Sequence, residues 1–304
     1  MLDEAQAVVA QHLRPTPIVT WLADQGELAL KMETFQPSGS FKVRGALSAM
    51  YAYAGSERGL VTASAGNHAL GMAEAALVLG KQATIVVPET ASTAKIEALR
   101  RYPVDLRLVG VRFEDAEEEA LRLAADGMDY VSPYNDDRVI AGQSSVAAEV
   151  AQQVDGPITL VVPVGGGGLV SGVALEAARH GDRIRVIGVE VEASMAVSAG
   201  VLAGHTVGVE VSDTIADGLA GNIEDGCVTP TIVRDTEVQL VSVLERSVRA
   251  AVRTLATQAG LVVEGASAVT LAAVAEGLVP QDRQIVLVLT GRNIAPSLLT
   301  ELLA

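Results

Sequence analysis

Short apolar, β-branched runs alternate with segments of helical periodicity along most of the chain. Leu60–Ala63, Ala83–Val87, Asp105–Val109 and Asp129–Val131 read as strands, and helical patterns at His68–Leu79, Ser92–Arg101 and Glu114–Ala125 lie between them. Four strands joined by three crossovers predict a small open α/β domain over residues 49–136. Further buried-strand runs at Ile158–Val162, Arg185–Val189 and Ile285–Leu289 predict a larger, discontinuous domain made of residues 1–48 and 137–304. The expected fold class is α/β, with two open three-layer α/β/α domains and mainly parallel sheets.

Three junctions in this pattern carry chemistry. The first is Pro37-Ser38-Gly39-Ser40-Phe41-Lys42, which opens a helix expected over Ser40–Tyr53. Ser38 or Ser40 is placed to cap that helix and Gly39 to take a positive φ. Lys42 then falls in the first turn, at the positive end of the helix dipole, which favours the neutral amine that a Schiff base needs. The second is Gly165-Gly166-Gly167-Gly168, between the Ile158–Val162 strand and a helix expected over Leu169–Ala178. A strand, a bare glycine loop and a helix N-terminus together form a phosphate cradle. The spacing matches neither the dinucleotide fingerprint nor a P-loop, so a single small phosphate is expected. The third is Ser64-Ala65-Gly66-Asn67-His68, another strand-to-helix turn. Its backbone N–H groups, hydroxyl and amide suit a substrate carboxylate and a phenolic oxygen. Together the three point to a lysine–aldehyde adduct whose cofactor carries a phosphate.

The segments SFKVRGA, SAGNHALG, IVVPETA, VIAGQSS, VVPVGGGGLVSG, TIADGLA and LTGRN occur in one order along the chain. In that order the sequence resembles the serine/threonine dehydratase group of fold-type II pyridoxal-phosphate enzymes, which includes serine racemase and shares the architecture of the tryptophan synthase β subunit. The resemblance implies pyridoxal 5'-phosphate held covalently by Lys42, with Phe41 packed beside the ring and Asn67 bonded to its 3' oxygen. It implies that Gly165, Gly166, Gly167 and Gly168 hold the phosphate and that Thr290 faces the pyridine nitrogen. Ser64, Gly66, Asn67 and His68 would bind the amino-acid substrate. Glu264 matches a residue near the family pocket, Gly218 passes the cofactor face, and Tyr134 lines the substrate side. With the expected boundaries, Lys42, the glycine loop and Thr290 belong to the large domain and Ser64–His68 to the small one, so the cofactor is expected between the two.

Two departures from the family pattern steer the reaction. Racemases of the group have a serine where this chain has Ala65, and a methyl group carries no proton to the far face of the cofactor. Their divalent-metal site pairs a glutamate with an aspartate six residues on; Glu190 matches the first, but Ala196 stands at the second, so no metal is expected. The expected activity is an α,β-elimination that turns L-threonine or L-serine into a 2-keto acid and ammonia. A lyase for 3-hydroxyaspartate or an ectoine-derived amino acid stays open because Arg292 interrupts the usual Gly-Gly-Asn. Serine racemisation also stays open, as does a catalytically silent role as a pyridoxal-phosphate carrier or amino-acid sensor.

Charge narrows the partners. A net charge of −15 over 304 residues disfavours nucleic acid and anionic membranes. The single cysteine, Cys227, excludes an intrachain disulfide and fits a reducing, cytoplasmic setting. Met1–Ala5 lacks the features of a signal peptide, and the uncharged stretch Gly156–Leu175 carries too much proline and glycine for a membrane span. A small-molecule substrate and a homodimer or higher homo-oligomer are the expected partners, the latter by resemblance.

Overall fold

The computed structural model describes residues 1–24, 26–53 and 58–304. The chain opens with α1 (Leu2–His12), the hairpin β1 (Ile18–Ala23) and β2 (Gly26–Lys31), and α2 (Lys42–Ala52). There follow β3 (Leu60–Ala63), α3 (Asn67–Leu79), β4 (Ala83–Val87), α4 (Thr93–Leu99), β5 (Asp105–Leu108), α5 (Phe113–Ala125), β6 (Asp129–Tyr130) and α6 (Asp137–Gln143). The remainder comprises α7 (Ser145–Gln153), β7 (Ile158–Pro163), α8 (Gly168–Ala178), β8 (Ile184–Val191), α9 (Ala196–Ala203), α10 (Thr229–Asp235), β9 (Gln239–Val243), α11 (Glu245–Gln258), α12 (Gly265–Ala275), β10 (Gln284–Val288) and α13 (Pro296–Leu303). Contacts divide the chain into two compact units, Met1–Arg14 with Gln36–Gln143 and Pro15–Phe35 with Ser144–Ala304.

The first unit is a parallel sheet ordered β5-β4-β3-β6. Its central strands β3 and β4 are buried on both faces, which is why they read as continuous apolar runs. In β4 the side chains of Ile85 and Val87 join one core with α2 and α3, while Val86 joins another with Ala116, Ala120 and Leu123 of α5. The boundary differs from the sequence expectation, because α1 and residues 36–48 belong here. Packing is the reason: α2 lies against α3 and α6 and carries Val43, Ala46, Leu47 and Met50 into the α2–α3 core.

The second unit is a six-stranded sheet ordered β1-β2-β10-β7-β8-β9, parallel except for the β1–β2 hairpin at its edge. Neither the hairpin nor β9 is evident in the apolar pattern: β9 is the partly exposed stretch Gln239–Val243, and β1 exposes Val19 and Leu22. The hairpin is pinned through Lys31, which is fully buried and donates from Nζ to the Thr16 carbonyl at 2.8 Å, Glu149 Oε2 at 2.6 Å and Gln153 Oε1 at 2.9 Å. A buried charge is tolerated when its hydrogens are met in this way. Among the described residues no helix is long and apolar enough to cross a membrane.

The α2–α3 packing depends on a missing side chain. A Cβ at Gly71 would lie 2.8 Å from the Lys42 carbonyl carbon and 3.0 Å from Val43 N, so α3 rests directly on the backbone of the first turn of α2. Gly71→Ala should therefore push the two helices apart and destabilise the protein by about 1–3 kcal/mol. Thermal denaturation checks this, and a melting temperature equal to that of the parent would show that the contact is not tight.

Candidate active site

In each sheet the chemistry collects where the strand order reverses, at the carboxyl ends of the strands. In the first unit β3 continues to β4 on one side and is flanked by β6 on the other. The register pairs Val61 with Tyr130, so Ser64 and Pro133, each three residues on, leave the sheet at the same level. In the second unit β7 has β8 on one side and β10 on the other, and Val161 pairs with Leu287. Val164, which opens the glycine loop, and Thr290 therefore also leave their sheet level with one another.

In the first unit the structure brings Lys42, Phe41 and the Ser64–His68 segment together. Lys42 is the first residue of α2, and its Nζ lies 5.3 Å from the centre of the Phe41 ring and donates to the Pro133 carbonyl at 2.7 Å. Gly39 takes a φ of 81° as expected. The capping expectation is corrected: Phe41 occupies the N-cap in a helical conformation and the helix has no side-chain cap. Ser38 Oγ instead donates to the Ser40 carbonyl at 3.1 Å, and Ser40 Oγ is buried with no partner among the described residues. The helix begins too late for either hydroxyl to reach its N–H groups. The Pro133 acceptor could not be read from the sequence, because a backbone carbonyl leaves no residue signature.

The Ser64–His68 turn begins where β3 ends. Ser64 Oγ accepts from Gly66 N at 3.2 Å, which leaves the hydroxyl hydrogen available, and a Cβ at Gly66 would meet nothing within 4 Å. Asn67 starts α3, so this turn also presents a helix N-terminus. His68 is buried, with Nε2 3.3 Å from the Val131 carbonyl and Nδ1 lacking any partner among the described residues. Burial first, and then the charge of Lys42, pull its pKa down to about 3, against a small opposing pull from the Val131 carbonyl. The imidazole is therefore neutral at ordinary pH. Tyr134 sits half-buried beside Pro133 in the loop after β6, which Ser132 holds by accepting from Asn135 N at 3.1 Å.

In the second unit Gly165, Gly166, Gly167 and Gly168 run from β7 into α8 as expected. Gly167 is the N-cap with a φ of 86°, a conformation that favours glycine. The N–H groups of Gly168, Leu169 and Val170, in the first turn of α8, have no acceptor within the helix. The segment Ile215–Leu219 packs against this loop: a Cβ at Gly165 would lie 3.0 Å from Leu219 Cα and 3.1 Å from the Gly218 carbonyl, and one at Gly265 would lie 2.6 Å from the Ile215 carbonyl carbon. Thr290 is buried just past β10. Glu264, the buried N-cap residue of α12, donates its N–H to the Gly291 carbonyl at 3.1 Å, and Arg292 beside it is exposed. Sequence reasoning missed Thr229, whose Oγ1 donates to the Gly166 carbonyl at 2.8 Å; Pro230 directly after it was the available sign of a helix start.

Glu190 has a different task from the metal ligation its position suggests. Its Oε1 accepts from Val197 N at 3.0 Å and Ser198 N at 3.3 Å, and its Oε2 accepts from Ser198 Oγ. The carboxylate thus caps α9, while burial raises its pKa. Glu192 is exposed.

The donor set of each unit fits pyridoxal phosphate. Four side-chain-free residues and a helix N-terminus, with no carboxylate in the loop, suit one phosphate. A lysine at the head of α2 suits the aldehyde. Comparison with known proteins agrees. Residues 9–291 match the family model described as "Pyridoxal-phosphate dependent enzyme". The chain is 40% identical over 272 residues to an L-threonine ammonia-lyase of Thermotoga maritima, covering 88% of this chain and 68% of that protein. It superposes on maize serine racemase with a TM-score of 0.91 at 30% identity, covering 99% of this chain and 94% of the other. The processed form of threonine deaminase isoform 2 from Solanum lycopersicum gives a TM-score of 0.91 at 31% identity, covering 99% and 91%.

The neutral His68 has a measurable consequence. Between pH 6.5 and about 3 the unfolded chain takes up a proton here that the folded chain refuses. Stability should fall as pH falls through that window, by up to about 1.4 kcal/mol per pH unit from this group. His68→Gln should lose melting temperature less steeply over the same range. An unchanged slope would mean that the imidazole is protonated in the folded protein.

Proposed function

Because the chain belongs to the pyridoxal-phosphate-dependent enzyme family, we propose that it is an ammonia-lyase that eliminates the β-hydroxyl of L-threonine or L-serine. The observation that carries this reading is Lys42 at the head of α2, its Nζ held by the Pro133 carbonyl, together with a methyl group at Ala65 in the turn that opens α3. When bound, pyridoxal phosphate supplies the electron sink for the pair left at the substrate α-carbon. Lys42 would hold the cofactor by its aldehyde in the resting protein. Its amine, oriented by the Pro133 carbonyl, then removes the α-proton. Gly165, Gly166, Gly167 and Gly168 hold the phosphate with backbone N–H groups, Asn67 donates to the ring's 3' oxygen, and Phe41 packs beside the ring.

Substrate recognition falls to the same turn. The backbone N–H groups and the Ser64 hydroxyl bind the substrate carboxylate, with Gly66 giving it room to approach. His68, neutral and buried, orders the turn rather than moving a proton. Thr290, buried just past β10, would offer the pyridine nitrogen a neutral hydroxyl in place of a carboxylate, an environment that favours elimination over transamination. The hydroxyl leaves as water with a proton that balances the one Lys42 takes from the α-carbon, and the released enamine is hydrolysed by water to 2-oxobutanoate or pyruvate and ammonia. We assign the protein to the cytoplasm, consistent with its single buried cysteine, and to a homodimer or higher homo-oligomer, which light scattering of the purified protein checks.

Two outcomes are expected. Borohydride reduction of the yellow holoenzyme should fix the cofactor on Lys42 in a peptide map, and Lys42→Ala should be colourless and release no keto acid from threonine or serine; cofactor on another lysine would overturn the site. In a chiral assay run beside the pyruvate assay, L-serine should give pyruvate far faster than D-serine. The far face of the cofactor lacks the proton carrier that a hydroxyl at position 65 would be, and loss of a general acid costs roughly 10²–10⁴ in rate. Comparable rates for the two products would make the enzyme a racemase.

A further inference from the structure

With the cofactor phosphate assigned to Gly165–Gly168 as above, we propose that Thr229 is a positioning residue that fixes the orientation of the Gly166–Gly167 peptide and thereby sets cofactor affinity. Thr229 is fully buried at the start of α10, and its Oγ1 donates to the Gly166 carbonyl at 2.8 Å. In a trans peptide the C=O and the following N–H point in opposite directions. Holding the Gly166 carbonyl toward α10 therefore aims the Gly167 N–H away from α10. A glycine–glycine peptide has little steric preference of its own and can rotate between orientations. The Thr229 hydroxyl removes that freedom before any anion arrives.

Space and hydrogen count support the same role. A Cβ at Gly167 would lie 2.6 Å from Thr229 Oγ1 and 2.7 Å from Thr229 Cβ, so the threonine fills the room that a side chain would take. A hydroxyl has one hydrogen, and Thr229 spends it on Gly166. The 3.1 Å contact between Cys227 Sγ and Thr229 Oγ1 must then be donated by the thiol. Burial keeps that thiol protonated by raising its pKa. A directed chain runs from Cys227 through Thr229 to the Gly166 carbonyl, giving side-chain support to a loop that has no side chains.

Thr229→Val keeps the shape and deletes the hydroxyl, while Thr229→Ser keeps the hydroxyl. Equilibrium dialysis of the holoenzymes against graded pyridoxal phosphate, and in parallel against pyridoxal, separates the phosphate contribution from the rest of the site. Thr229→Val should bind pyridoxal phosphate roughly 10-fold more weakly and pyridoxal unchanged, with kcat restored at saturating cofactor, and Thr229→Ser should stay within about twofold of the parent. If Thr229→Val weakens both ligands equally, or Thr229→Ser is as poor as Thr229→Val, Thr229 only supports packing and the proposal is overturned. If the parent protein itself binds pyridoxal as tightly as pyridoxal phosphate, the phosphate assignment falls and the proposal falls with it. Should Thr229→Val not fold, Thr229→Ala removes the same hydroxyl without a methyl against Gly167 and carries the same outcomes.

Discussion

The backbone-on-backbone contact between α3 and the first turn of α2, made possible by Gly71, is the constraint on which the placement of Lys42 depends. Lysine is a flexible side chain, and its usefulness in chemistry rests on where its Cα is held. Here the Cα sits at the head of a helix whose next turns are buried in the α2–α3 core. The helix that presses on it is also the one that begins within the Ser64–His68 turn. One close approach therefore sets both the amine and the turn, and the loop after β6 completes the arrangement with the Pro133 carbonyl.

The second unit uses the same device around the glycine loop. Gly165 and Gly265 admit the Ile215–Leu219 segment between them, and Gly167 admits Thr229. Glycines that look interchangeable in a run of four thus have separate surroundings: Gly168 opens a helix, whereas Gly165 and Gly167 let neighbouring segments in. Polar groups are distributed by the same economy. Glu190 and Lys31 are buried where the backbone and nearby side chains satisfy them, and the strongly negative surplus lies on exposed faces such as α5.

The apolar runs made most of the sheet architecture legible. Leu60–Ala63 and Ala83–Val87 coincide with β3 and β4, because strands buried on both faces carry an unbroken apolar signal. The edge strands β1 and β9 are missing from the apolar pattern because one face is partly exposed there, and β2 because its buried run is short and contains the charged Lys31. The candidate site residues rest on residue type: a lysine after Ser-Gly-Ser, four glycines between strand and helix, a Ser-Ala-Gly-Asn-His turn.

By itself, then, the sequence determined the parallel α/β class and the buried central strands and supplied the candidate chemistry, since each rests on local periodicity or on what a side chain can do. Tertiary structure alone decided that α2 joins the first unit, that Pro133 orients Lys42, that Glu190 caps a helix and that Thr229 holds the Gly166 carbonyl. Apart from the Glu190 cap, made to Val197 and Ser198 nearby, each of these is a contact between segments distant in sequence, and several are made by backbone atoms that every residue shares. A chain read one residue at a time carries no mark of them; they exist only once packing has brought the partners within hydrogen-bonding or van der Waals distance.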